Sequence, residues 1–86
     1  MTRYEFSLRQ EVMLKKGVSI LADLFRYTQE KNLTEQDHPV QVMYDLVWTA
    51  KSDILLTTSE KDLNRIEGQF DITKEFLSRI ETDVFD

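Results

Sequence analysis

The sequence predicts an all-α fold, an antiparallel bundle of three helices. Three observations lead there. From residue 63 onward, Leu63, Ile66, Phe70, Thr73, Leu77, Ile80 and Val84 recur at alternating steps of three and four, which is a helix with one narrow apolar seam. The 86 residues include only two glycines and one proline, too few turn formers for a fold of many strands. Turn and capping residues around 32–38 and 57–59 divide the chain into three segments of helical length. The predicted helices cover residues 3–31, 39–56 and 59–83 of a single domain spanning 1–86.

The first helix opens on Thr2-Arg3-Tyr4-Glu5, a capping box in which the Thr2 hydroxyl accepts from the Glu5 amide while Glu5 reaches back. Projection at 100° per residue gathers Phe6, Met13, Leu14, Gly17, Val18, Ile20, Leu21, Leu24, Phe25 and Tyr27 on one half of the cylinder. Leu8 and Val12 are exceptions and face the polar side. Gly17 costs roughly 1 kcal/mol relative to alanine in mid-helix, and its place at the centre of the apolar face predicts close approach by another helix. Asn32 is suited to end the helix in a left-handed conformation.

The second helix has two candidate starts, one capped by Thr34 and one by Asp37 just ahead of Pro39. Proline fits only a first helical turn, which places the start near residues 38–40. Val40, Met43, Leu46, Val47, Ala50 and Ile54 form one apolar stripe. Tyr44, Trp48 and Leu55 form a second beside it, with Lys51 between them. Together they cover about 200° of the helix, twice the arc of an ordinary surface helix. That excess predicts either a central helix or an interface.

No glycine or proline marks the break before the third helix. Thr57, Thr58 and Ser59 are successive capping candidates, with Glu60 and Asp62 placed for the positive end of a helix dipole. A continuous helix from Pro39 onward is the alternative, and it would force an elongated dimer. Ile72 and Phe76 flank the seam of helix 3, and Gly68 lies off it. The tail Thr82-Asp83-Val84-Phe85 loosely resembles the acidic and hydrophobic peptides that dock on sliding clamps, without their leading glutamine and leucine.

Composition excludes several functions. With 31% charged and 41% hydrophobic residues the chain is in the globular range. A chain this small buries only about 60–65% of its unfolded surface, so its core is thin and oligomerisation is a natural way to complete the bundle. There is no cysteine, which fits a reducing cytoplasm. The residues after Met1 predict no signal peptide, and no apolar run approaches the ~18–20 residues of a membrane span. The net charge of −5 repels phosphate, which disfavours direct nucleic-acid contact.

Chemistry is equally poorly provided for. One histidine, no cysteine and no helical Glu-x-x-His pair leave no metal or cofactor site, and His38 beside Pro39 is expected to be a cap or loop residue. Calcium, Walker-type and dinucleotide loops are absent. Asp45 with Asp53, or Glu67 with Asp71, would be the only paired carboxylates of interest, and both pairs lie where a solvated helix face would put them. The expected class is therefore a non-catalytic interaction module: an inhibitor, adaptor or assembly factor of the small acidic helical type common among bacterial and phage accessory proteins. Its partner-binding residues are predicted to be Tyr44, Trp48, Leu55, Ile72 and Phe76, because aromatic and aliphatic anchors are enriched where proteins meet. The alternatives are a structural homo-oligomer, plausibly a homodimer, and an acidic mimic of nucleic acid that blocks a DNA-binding protein.

Overall fold

A computed structural model describes residues 2–33 and 38–83, with side chains up to Ile80. Three helices make the fold: α1 (Arg3–Glu30), α2 (Pro39–Ile54) and α3 (Glu60–Asp83). Each boundary has a local chemical cause. Thr2 caps α1 as expected, its hydroxyl oxygen accepting from the Glu5 amide at 3.1 Å. At the other end Asn32 takes a φ of 59°, while the amides of Leu33 and Asn32 donate to the carbonyls of Thr28 and Gln29. This is a Schellman termination, and it turns Leu33 back against the core.

His38 is the N-cap of α2, its Nδ1 accepting from the Val40 amide at 3.2 Å, with Pro39 in the first turn. The two caps weighed from sequence, Thr34 and Asp37, lie outside the described residues. The second break is real, and α2 and α3 are separate helices. Thr57 and Ser59 make it: the Thr57 hydroxyl accepts from the Ser59 amide and donates to the Asp62 carboxylate, while the Ser59 hydroxyl accepts from the Asp62 amide. Helix 2 therefore stops at Ile54, two residues short of the predicted end.

Contacts between elements fix an up-down-up order. Gln10, near the start of α1, donates to the carbonyl of Ile54 at the end of α2, so these helices run antiparallel. Arg9 bonds Asn64 and pairs with Glu67, and Lys16 pairs with Asp71, so α1 and α3 run parallel along a short polar ladder. Between these helices lies one core, in which Met13, Ile20, Leu24, Val40, Val47, Ile54, Leu63, Ile66 and Phe70 are fully enclosed. The seam of α3 is buried at every position from Leu63 to Leu77 and half-buried at Ile80, while Val84 lies outside the described residues. Its one polar member, Thr73, donates to the Gln69 carbonyl within its own helix. Gly17 faces the Phe70 ring and the Lys51 stem, the close approach its position predicted.

Three residues assigned to apolar inner faces point outward instead. Val18 and Phe25 of α1 and Leu46 of α2 are exposed. Two neighbours cover less than half of each cylinder, so residues at the margins of a projected half-face remain in water.

Candidate protein-binding surface

Exposed apolar residues, rather than polar clusters, distinguish this surface. Among the described residues no group of three or more His, Asp or Glu side chains converges as a metal site would require. No described helix is long and apolar enough to cross a membrane. Large apolar side chains stand in solvent at Tyr4, Leu8, Val12, Val18, Phe25, Val42, Leu46, Trp48, Leu55, Leu56 and Ile72.

One groove runs between α1 and α2. Val18, Leu21, Ala22 and Phe25 form its α1 wall, and Tyr44, Trp48 and Lys51 form its α2 wall. Residues 44 and 48 sit one turn apart, so their rings meet on one face of α2. They stack with centroids 6.4 Å apart and an interplanar angle of 17°. Lys51 closes the arrangement from the next turn, its Nζ 4.9 Å from the Trp48 ring centroid. Tyr44 is half-buried against the core, whereas Trp48 keeps 52% of its surface in solvent. Trp48 therefore does not fill the centre of the bundle, a place taken by Phe70, Met13 and Leu24.

A second groove lies between α2 and α3. Met43, Leu46, Val47, Gln69, Ile72 and Thr73 line its upper part, and Glu75, Phe76 and Arg79 continue it. Ile72 is 63% exposed at the rim, while Phe76 is half-buried with its ring against the core. An ion pair from Arg79 to Glu75 guards the outer edge.

The five predicted residues thus fall into separate places. Tyr44 and Trp48 share the first groove, and Ile72 and Phe76 share the second. Leu55 lines neither: it is the C-cap residue of α2 and is 66% exposed. The periodic pattern carried it past the point where the Thr57 and Ser59 caps end the helix.

Sequence reasoning missed the α1 contribution. Val18 and Phe25, expected on the apolar half of α1, form the opposite wall of the tryptophan groove. Tyr4, Leu8 and Val12 extend an exposed apolar ridge toward the start of the helix. The signal was present in Leu8 and Val12, two large apolar residues on a face otherwise polar.

No curated protein and no solved structure matches the chain. A family model described as bacterial epsilon antitoxin matches residues 2–80, a span that begins at the Thr2 cap and includes both grooves. The chain belongs to the bacterial epsilon antitoxin family.

Proposed function

We propose that this chain is a non-catalytic inhibitor that captures a protein toxin in the bacterial cytoplasm, through apolar surface that its three helices leave uncovered. Membership of an antitoxin family supports the inhibitory role, since an antitoxin by its name opposes a toxin. The observation that carries the surface assignment is the Tyr44–Trp48 stack, half in solvent over a core that is already filled. A large aromatic side chain exposed on so small a protein is expensive unless a partner covers it.

In this reading the α1–α2 groove is the principal contact. Trp48, Tyr44, Val18 and Phe25 supply apolar area, and Lys51 supplies one cation at the rim. Ile72 and Phe76 supply a second contact on the α2–α3 side, with Leu55 a peripheral one. A concave apolar trough between two helices accepts a convex ridge, either a helix or a bulky loop.

The test is affinity capture from the native host with the intact chain and with a Tyr44→Ser, Trp48→Ser double variant. The intact chain should retain a protein that arrests growth when expressed alone and is relieved by co-expression. The double variant should keep its helical circular dichroism and lose both capture and relief. Equal capture by the double variant defeats the surface assignment; if that capture also collapses with moderate salt, the acidic faces of α2 and α3 are the binding element instead. A captured protein that is harmless on its own defeats the antitoxin reading.

A further inference from the structure

Thr73, the polar member of the buried α3 seam, holds its hydroxyl beside the sulfur of Met43, with Oγ1 3.9 Å from Sδ. A hydroxyl has a single proton to give, and here it goes to the stronger acceptor, the Gln69 carbonyl at 2.8 Å. The thioether therefore keeps its lone pairs. Because a helix carbonyl also accepts an amide from its own helix, the hydroxyl can turn away from Gln69 without orphaning it.

Met43 is half-buried and lines both parts of the α2–α3 groove. The upper part encloses about 140 Å³, ample for a molecule little larger than water. The chain has no cysteine, so any oxidation of sulfur falls on its three methionines. Met1 lies outside the described residues, and Met13 is sealed in the core at 1% exposure. Met43 alone of the two described methionines opens onto a groove, with a hydroxyl already against its sulfur.

We propose that Met43 is a peroxide-sensitive modification site, that Thr73 receives the resulting sulfoxide, and that the oxidised chain holds its toxin less firmly. The sulfur lone pair attacks one oxygen of hydrogen peroxide. The S–O bond forms as the O–O bond breaks, and the other oxygen leaves as water with both protons. Sulfur loses two electrons and the peroxide gains them. The new oxygen is a far stronger acceptor than the thioether, and on the Thr73 side of the sulfur it stands within reach of the hydroxyl.

Oxidation turns a flexible apolar side chain into a polar one among Leu46, Val47 and Ile72, on the wall that carries the second toxin contact. Enzymatic reduction of the sulfoxide restores the apolar wall. The loss of capture rests on the antitoxin reading; the oxidation and the part of Thr73 do not.

Dilute hydrogen peroxide on the purified full chain, followed by peptide mapping with mass spectrometry, tests the site. In the folded chain Met43 should gain one oxygen roughly tenfold or more faster than Met13, and the two rates should converge in urea. Equal rates without urea overturn the proposal. Urea titration before and after oxidation then tests Thr73, each variant serving as its own reference. Oxidation should raise the unfolding equilibrium constant of Thr73→Val roughly tenfold more than that of the wild type, because valine leaves the sulfoxide oxygen without a donor. An equal rise in both overturns the part given to Thr73. Met43→Leu should lose the peroxide effect on stability; an effect of wild-type size in that variant belongs to another residue and overturns the site. Capture is measured once catalase has removed the peroxide. The oxidised wild type should bind toxin about fivefold or more weakly than the reduced chain, whereas peroxide should not change the binding of Met43→Leu. Equal binding by reduced and oxidised wild type overturns the loss of capture. A reduced chain that captures no toxin defeats the antitoxin reading and the loss of capture together, and leaves the mapped oxidation standing.

Discussion

Gly17 of α1 and Phe70 of α3 are in such close apposition that a Cβ on the glycine would stand 3.0 Å from Cζ of the ring. The ring is fully buried, so room for the methyl group must come from a shift of its packed neighbours. Gly17→Ala should gain about 1 kcal/mol of helix propensity and lose about 1–3 kcal/mol to overpacking, for a net loss near 1 kcal/mol. Gly68 offers the control, because nothing stands within 4 Å of the equivalent position. Gly68→Ala should raise stability by up to about 1 kcal/mol. Urea midpoints moving in the same direction for both variants would show that the Phe70 contact does not set the helix spacing.

The Gln10 side chain ties the start of α1 to the end of α2 by donating to the Ile54 carbonyl at 2.8 Å. That carbonyl belongs to the last turn of its helix, where no amide further along the helix serves it. Gln10→Ala should cost about 1 kcal/mol, the usual net worth of such a bond. A thermal midpoint unchanged from wild type would mean that water replaces the amide without loss.

Ser59 and Thr57 hold the turn that separates α2 from α3. Ser59→Ala should cost about 1 kcal/mol, the typical loss of a helix cap. Because no glycine or proline enforces the break, removing both hydroxyls weakens the preference for a turn over one continuous helix. The double variant Thr57→Ala, Ser59→Ala should therefore lose more stability than Ser59→Ala alone, measured by denaturant titration.

Val18→Ser and Phe25→Ser change exposed positions on the groove wall. Each should leave the unfolding free energy within about 0.5 kcal/mol of wild type, as surface changes generally do. Each should also weaken toxin capture, while the control Val42→Ser, exposed elsewhere on α2, should not. Capture insensitive to both groove variants would remove α1 from the binding surface.

Much of this architecture is legible in the sequence because local chemistry and long-range packing agree. The seam from Leu63 to Leu77 needs only its own periodicity to be read, and Thr2, Asn32 and Pro39 mark helix ends by side chains with few other uses there. What could not be read was how far around each cylinder the neighbouring helices reach. Val18, Phe25 and Leu46 sit at the margins of their apolar arcs, and burial at a margin depends on interhelical angles that no periodicity records. Leu55 keeps the spacing of the stripe and stands at the C-cap, where α2 ends. The same uncertainty hid the α1 wall of the groove, although Tyr44 and Trp48, which form the other wall, were evident from their type and spacing.

Trp48 is the only tryptophan in the chain, and it stands half in water with a lysine ammonium against its ring. Its fluorescence therefore reports on one place and no other. Anything that fills the α1–α2 groove will strip water from the indole and shift its emission to shorter wavelength, while a molecule settling between α2 and α3 will leave the spectrum nearly untouched. The protein carries its own optical probe for the question of which groove is used, and no label needs to be attached to read it.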